Sequence, residues 1–340
     1  MKHLGRTLLY GTVGVFFSVS ALAAETTLRV ATWLPPTNPQ NETVWPTWAK
    51  WVEEATEGRV NVIIEDYNGH PRTLFTAVED GVVDAAFSVN AYLSGRFMLP
   101  GIAEIPGEVA DAESGSVALW RVYEEYFEPA NEYEGLHVLG MFVHGPGQLH
   151  TRFPVTSMSD LKSKKMRVGG GLVNALAERM EVSPVSAPAP KSYEMMQQGV
   201  VDGTFLPPLD QKFLRIHEVS SQLTLFPKGL YTTAFTIFMN PDVFAQLSAE
   251  DRDAIMEVSG EKLSRLAGAA WGAADEDGIA EATKNNVNIV RVGENDPLAQ
   301  ELNKLSRGLD QKWMESVTER KVDAAAALQR FRAIVAEEQK

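Results

Sequence analysis

The sequence contains no cysteine among its 340 residues. Disulfide bonds, cysteine-ligated zinc or iron–sulfur sites and thiol nucleophiles are therefore excluded. Basic residues are also few: the sequence has 31 Lys and Arg and 45 Asp and Glu, which gives a formal net charge of −14. A protein that neutralises a phosphate backbone needs clustered basic side chains. We therefore do not expect nucleic acid as a partner.

Motifs for catalysis and nucleotide binding are missing as well. The sequence has no GxSxG, HExxH or GxxxxGK[ST] motif, and no two histidines stand four residues apart on a predicted helix. The three glycines at 169–171 precede a predicted helix, and they form either a tight turn or the edge of an anion site. We predict no enzyme, no metal and no cofactor. An exported hydrolase is the competing class, and it would need a nucleophile or paired carboxylates beside a base.

The first 23 residues have the pattern of a secretory signal peptide. Lys2 and Arg6 give a positive start, residues 8–22 are almost wholly apolar, and the sequence Ala-Leu-Ala occupies 21–23. Small residues at these positions predict cleavage after Ala23 and a periplasmic location, with an uncleaved anchor as the alternative. No later stretch is long and apolar enough to cross a bilayer.

A repeated segment predicts two lobes of similar construction. Residues 73–87 align without gaps with residues 191–205, and both contain the sequence Gly-Val-Val-Asp, at 81–84 and at 199–202. Each copy predicts a helix that ends at glycine, followed by a buried strand. The two aspartates, Asp84 and Asp202, are expected to stabilise turns. We predict an α/β fold with parallel strands.

The remaining segments predict how the lobes are connected. The sequence His-Gly-Pro-Gly at 144–147 marks one crossing between the lobes, and the apolar strand at 231–240 marks a return. The helical pattern over 248–285 predicts one helix long enough to span both lobes. We assign residues 24–146 and about 236–270 to the first lobe, and residues 147–235 and about 271–340 to the second. Apolar residues from Pro297 onwards form a face for packing on the body or on a second copy, so the chain is a monomer or a dimer through its C-terminal helix.

Arg167 is the strongest candidate for contact with a ligand. It lies in a predicted strand at 165–168, where alternation places Met166 and Val168 on one face and Arg167 on the other. Arginine can grip a carboxylate through two parallel hydrogen bonds.

The chain resembles the solute receptors of tripartite ATP-independent periplasmic (TRAP) transporters, the DctP-like family. Four stretches carry the resemblance: residues 28–37 with 48–59, 81–84, 160–167 and 198–203. The resemblance implies a two-lobe periplasmic binding protein, type II-like, with hinge strands and a long helix spanning both lobes. It also implies membrane permease subunits as partners, and it places the family's carboxylate-binding arginine at Arg167.

The sequence departs from the family where the ligand is chosen. Leu206 stands where many members have an asparagine, and Gly147 and Tyr92 stand where members that bind acid sugars have further cations. A ligand with many anionic or hydroxyl groups is therefore not expected. The residues expected near the cleft, besides Arg167, are Trp33, Asn90, Tyr92, Gln148, His150, Phe205, Asp210 and Tyr231.

Two classes of ligand remain open from the sequence. A small monocarboxylate, aromatic or hydroxylated, would pair with Arg167 and place its apolar body against the aromatic rings. A small amine or amino alcohol such as ethanolamine would instead use the aromatic faces together with Asp210 or Glu65. We favour the carboxylate because Arg167 would otherwise be an unpaired charge in a closing site.

Overall fold

The computed structural model of the protein describes residues 26–340. The predicted signal peptide at residues 1–23 lies outside this range. Within the described range, no helix is both long and apolar enough to span a membrane.

Strands and helices alternate along most of the described chain. The strands are β1 Thr26–Thr32, β2 Val60–Asp66, β3 Ala85–Val89, β4 His137–Val143, β5 Gln148–Thr151, β6 Lys165–Val168, β7 Ser183–Ser186, β8 Gly203–Leu206, β9 Gln222–Leu225, β10 Ala234–Met239 and β11 Asn288–Arg291. The helices are α1 Trp45–Ala55, α2 Leu74–Glu79, α3 Ala112–Val122, α4 Leu172–Arg179, α5 Lys191–Gln197, α6 Asp210–Phe213, α7 Pro241–Gln246, α8 Ala249–Glu257, α9 Gly260–Lys284, α10 Pro297–Ser306, α11 Leu309–Ser316 and α12 Ala324–Glu338.

The strands form two sheets, one in each lobe. The first sheet has the order β2-β1-β3-β10-β4, and the second has the order β11-β9-β5-β8-β6-β7. In the first sheet β1 runs parallel to β2 and β3, and β10 runs antiparallel to β3 and β4. In the second sheet β6 runs parallel to β7 and β8, β9 runs parallel to β11, and β5 runs antiparallel to β8 and β9. The predicted two-lobe α/β architecture is confirmed.

The repeated segment forms the same order of elements, a helix followed by a strand, in both lobes. The helices α2 and α5 are followed by Gly81 and Gly199, whose φ angles of 69° and 70° lie in the left-handed region that glycine adopts without strain. The repeat then enters β3 in the first sheet and β8 in the second. Asp84 accepts a hydrogen bond from the backbone N–H of Arg29 at 2.7 Å. These aspartates thus have the structural role that the sequence predicts.

The chain crosses between the lobes where glycine and proline predict it. Residues 144–147 connect β4 to β5, and Tyr231 pairs with Gly147 just before β10 returns to the first sheet. The Tyr231 ring covers the place that a side chain at position 147 would occupy, so glycine is required there. The two crossings are therefore adjacent, as a hinge requires.

The long helix is shorter than predicted. The helical pattern at 248–285 divides into α8 and the 25-residue α9, because Gly260 has a φ of 55° and packs against Trp120. At about 1.5 Å per residue, α9 is still about 37 Å long. It packs through Leu263 and Trp271 on the core of the first lobe and through Ala282 beside β9 of the second. The helix therefore spans both lobes, as expected.

The C-terminal helices pack on the body of the same chain. The predicted continuous stretch is divided into α10, α11 and α12. Leu302 of α10 joins the core of the second lobe, whereas Phe331 and Ile334 of α12 join the core formed by α3 and the first sheet. The placement of all residues from 271 to 340 in the second lobe therefore does not agree with the packing of α12. We propose that α12 belongs to the first lobe.

Candidate functional site

A cleft lies between the lobes beside the hinge, and we call it the interlobe cavity. Its empty volume, with the adjoining open solvent included, is about 440 Å³, and residues of both lobes line it. Five of the nine predicted ligand-contacting residues line it: Trp33, Tyr92, Arg167, Asp210 and Tyr231.

Arg167 lies on the wall of the cavity because of the alternation in β6. Lys165 is exposed, Met166 is in the core of the second lobe, and Arg167 is 2% exposed. Its Nε donates to the carbonyl of Ala187 at 2.8 Å, and its Nη1 donates to the carbonyl of Phe205 at 3.2 Å. A guanidinium has five N–H groups, so donors remain for a ligand. No carboxylate of residues 26–340 forms an ion pair with Arg167.

Tyr92 brings a hydroxyl group of the first lobe to the same place. Its oxygen accepts a hydrogen bond from the backbone N–H of Ala189 in the second lobe at 2.9 Å. Burial raises the pKa of Tyr92, while the nearby Arg167 opposes this rise, so the phenol stays protonated at neutral pH. Its proton is therefore free to be donated into the cavity next to the guanidinium.

Asp210 is the acidic group of the cavity. It begins α6 and is 6% exposed. Burial raises the pKa of its carboxyl group to about 7, and the Arg167 charge limits this rise. At neutral pH the carboxyl group is therefore a mixture of neutral and ionised forms, and the neutral form can donate a hydrogen bond.

Aromatic and aliphatic groups form the rest of the wall. Trp33 stacks on Phe87 with ring centroids 5.4 Å apart, and its Nε1 donates to the Phe87 carbonyl at 3.0 Å. Phe235 contacts Trp271 at 5.0 Å between centroids, and Leu206 faces them from the second lobe. Leucine at position 206 thus makes this part of the cavity apolar. The walls suit an apolar ring.

Asn90 and Gln148 lie outside the cavity wall and serve the fold. The Asn90 oxygen accepts hydrogen bonds from the hydroxyls of Tyr133 at 3.1 Å and Thr236 at 2.9 Å. The Gln148 side-chain oxygen accepts a hydrogen bond from the N–H of Phe226 at 2.8 Å, and its Nε2 donates to the carbonyl of Phe226 at 3.3 Å. The side chains of these two residues therefore act in the first and second sheets.

His150 and the Phe205 side chain also lie away from the cavity. The His150 ring bonds the Leu206 carbonyl at 2.8 Å and the Gln211 amide at 2.7 Å, and burial lowers its pKa to about 4. The Phe205 ring belongs to the core of the second lobe. Its contribution to the cavity is its backbone carbonyl, which holds Arg167.

Four further cavity residues, Asn38, Thr233, Phe235 and Trp271, were not among the predicted contacts. Thr233 and Phe235 follow the predicted Tyr231 at every second position, and all three line the cavity. This alternation was a usable signal for Thr233 and Phe235. Asn38 in the loop after β1 and Trp271 in α9 had no comparable signal, because only the tertiary fold brings them to the wall.

The glycines at 169–171 do not form an open anion site. The N-terminus of α4 already meets a carboxylate of the protein, since the N–H of Leu172 donates to Glu104 at 3.0 Å. Glu104 belongs to the first lobe, so this bond joins the lobes. Burial raises the pKa of Glu104 to about 7. Glu65, the other acid considered for an amine, pairs with Arg29 at 3.1 Å on the outer part of the first sheet.

The sequence matches a known family and characterised relatives. Residues 30–318 match DctP, described as bacterial extracellular solute-binding protein, family 7. The chain is also 30% identical over 323 residues to a protein named outer membrane transporter protein TsaT from Comamonas testosteroni, covering 93% of each chain.

Solved structures with the same architecture contain aromatic acids. A TRAP periplasmic solute-binding protein from Bordetella bronchiseptica with bound (R)- and (S)-mandelate is 34% identical, with a TM-score of 0.88 over 92% of this chain and 99% of that one. A TRAP solute-binding protein from Rhodoferax ferrireducens with copurified benzoate is 27% identical, with a TM-score of 0.86 over 92% of this chain and 98% of that one.

Proposed function

Because the chain belongs to the DctP family of bacterial extracellular solute-binding proteins, whose members are periplasmic receptors and not enzymes, we propose that it captures small monocarboxylates with an aromatic body. The exported-hydrolase alternative is wrong on this ground. The family's receptors work with TRAP membrane components, to which this chain would deliver its ligand. We further propose that the signal peptide at residues 1–23 directs the chain to the periplasm.

One observation carries the proposal for the ligand. Arg167 is buried in the interlobe cavity, is held by two backbone carbonyls and forms no ion pair with a carboxylate of residues 26–340. Asp210, the acid of the same cavity, is partly neutral because its pKa is about 7. A buried charge that is not fully paired is costly, and a ligand carboxylate would supply a partner in direct contact. Tyr92 would donate a further hydrogen bond to the same carboxylate.

The rest of the cavity supports an aromatic or similarly apolar body. The apolar side chains of Trp33, Phe235, Trp271 and Leu206 line the cavity together with Arg167. A sugar acid would need partners for several hydroxyl groups. Position 147 cannot supply such a partner, because the Tyr231 ring leaves room there for glycine only. The mandelate and benzoate found in the similar receptors from Bordetella and Rhodoferax each combine one carboxylate with an aromatic ring, as the ligand proposed here does.

The amine alternative has less support from the geometry. A cationic ligand would share the cavity with the Arg167 guanidinium, which repels it. Its counter-ion would have to be Asp210, whose pKa of about 7 leaves it partly neutral. Glu65 is engaged by Arg29 outside the cavity.

The proposal is tested by thermal unfolding after removal of copurified ligand by unfolding and refolding. Benzoate and phenylacetate should raise the Tm, because a ligand at 100 times its Kd stabilises by about 2.7 kcal/mol. Benzamide and benzylamine, which keep the ring and lack the anion, should leave the Tm within about 1 °C. A shift with benzylamine or ethanolamine and none with any carboxylate would overturn the proposal in favour of an amine.

A further inference from the structure

His144 is a buried histidine on the cavity wall for which the carboxylate interaction supplies no role. It follows β4 directly, at the first crossing between the lobes, and is 4% exposed. Its ring lies perpendicular to that of Tyr231 with centroids 5.4 Å apart, and 6.0 Å from that of Phe235. The ring is therefore held in one orientation between two aromatic groups.

The hydrogen-bond partner of one ring nitrogen determines the tautomer. The His144 Nδ1 contacts the carbonyl oxygen of Gly145. A carbonyl oxygen can only accept, so Nδ1 carries the proton and donates it. The structure gives the other nitrogen, Nε2, no hydrogen bond to a residue of 26–340, and the ring lines the interlobe cavity.

The ring is neutral under ordinary conditions. Burial, together with a smaller effect of the positive charge of Arg167, lowers the pKa of His144 to about 4. The hydroxyl of Tyr231 donates to the Phe205 carbonyl at 2.9 Å and so is not available to His144. At neutral pH, Nε2 therefore presents a lone pair that can accept a hydrogen bond and cannot donate one.

We propose that His144 Nε2 accepts a hydrogen bond from a hydroxyl group of the ligand, so that the cavity prefers hydroxylated monocarboxylates to the same acids without the hydroxyl. This rests on the proposed carboxylate-binding function. A ligand without the hydroxyl leaves a buried acceptor unpaired, or leaves it to a trapped water, and both cost affinity. Arg167 sets the requirement for an anion, and His144 sets the requirement for a donor.

The test compares matched acids by calorimetric titration at pH 7. One set is mandelate, phenylacetate and α-fluorophenylacetate, and the other is 3-hydroxybenzoate, benzoate and 3-fluorobenzoate. Fluorine has nearly the size of a hydroxyl and cannot donate. In at least one set the hydroxy acid should bind about tenfold or more tightly than both analogues. In His144→Phe that ratio should fall to about one.

The outcomes separate this inference from the proposed function. If phenylacetate and benzoate bind as tightly as the hydroxy acids, the role of His144 is overturned and the carboxylate function stands. If the fluoro analogue binds as tightly as the hydroxy acid, the site is recognising size instead of a donor, and the inference is also overturned. If none of the six acids binds, the proposed function itself has failed. The comparison of wild-type affinities decides the matter even if His144→Phe does not fold.

Discussion

The two lobes are built from the same unit and differ in charge at one equivalent position. In the first sheet, Ala31 of β1 pairs with Ala86 of β3, and in the second, Arg167 of β6 pairs with Thr204 of β8. Ala86 and Thr204 occupy the same place in the repeated segment. Ala31 and Arg167 are thus equivalent, and both are buried. The fold accepts a methyl group at this position, so the guanidinium of the second lobe is not a requirement of the architecture.

The shared parts of the unit confirm that this equivalence is structural. Asp84 binds the N–H of Arg29 at 2.7 Å, and Asp202 binds the N–H of Lys165 at 2.8 Å. In each lobe the aspartate holds the strand that carries the variable position two residues later. The scaffold is therefore repeated, while the guanidinium group is present at this position in the second lobe only.

The largest effect is expected from removing the charge that distinguishes the lobes. Arg167→Met should weaken benzoate binding by at least about 30-fold, since removing one partner of a buried charge pair costs about 2–5 kcal/mol. Arg167→Lys should fall between wild type and Arg167→Met, because it keeps the charge without the two-pronged geometry. Isothermal titration calorimetry measures both.

Lys165→Met is the matched control for these variants. Lys165 lies on the same strand and is exposed, so its replacement should leave benzoate affinity within about twofold. Circular dichroism establishes that each variant is folded. Benzoate affinity in folded Arg167→Met within about threefold of wild type would contradict the assigned role.

An intermediate effect is expected from the aspartates that the lobes share. Asp84→Ala and Asp202→Ala each leave one strand N–H without its partner, and each should cost about 1–2 kcal/mol of unfolding free energy. Urea denaturation measures both. The two losses should be similar, and the folded variants should bind benzoate like wild type. A loss of binding specific to folded Asp202→Ala would show that the repeat also carries ligand chemistry.

The smallest effect concerns the acid that faces Arg167. The pKa of Asp210 is about 7, and a bound anion favours its neutral form. Affinity for benzoate should therefore be constant below about pH 6 and fall as the pH rises through 7, by at most about tenfold per unit. Calorimetric titration between pH 5.5 and 8.5 measures this slope. A cationic ligand would give the opposite slope, because ionised Asp210 attracts it.

Two variants identify the group that causes the pH dependence of benzoate affinity. Asp210→Asn should abolish this dependence. Asp275 on α9 also titrates in this range, because burial raises its pKa to about 8, but its carboxylate accepts the N–H of Leu209 outside the cavity wall. Asp275→Asn should therefore keep the slope. A slope that survives in Asp210→Asn would assign it to another group.

Much of the architecture could be predicted from local patterns. The repeat, the glycines that end its helices and the glycine–proline crossing at 144–147 all depend on backbone conformation, which short segments determine. The break before α9 was missed as a boundary. Among the four glycines of α9, Gly260, Gly268, Gly272 and Gly278, Gly260 alone has a positive φ, and Trp120 of a distant segment occupies the space that a side chain there would need.

The site was predicted only in part, because contacts between distant segments determine which residues reach the cavity. Strand alternation placed Arg167 correctly, because β6 obeys a local rule. Asn90, Gln148 and His150 were candidates because the resemblance places them near the cleft, yet each is bonded to groups far away in sequence. Trp271 reaches the cavity only because α9 crosses both lobes. Long-range packing, which no local pattern encodes, decides these positions.

A crystal structure of the refolded protein with benzoate tests the central claim most directly. The account predicts both lobes closed on one benzoate, with a carboxylate oxygen within about 3 Å of the Arg167 guanidinium and the ring between Trp33 and Phe235. A benzoate whose carboxylate lies away from Arg167, or outside the interlobe cavity, would contradict it.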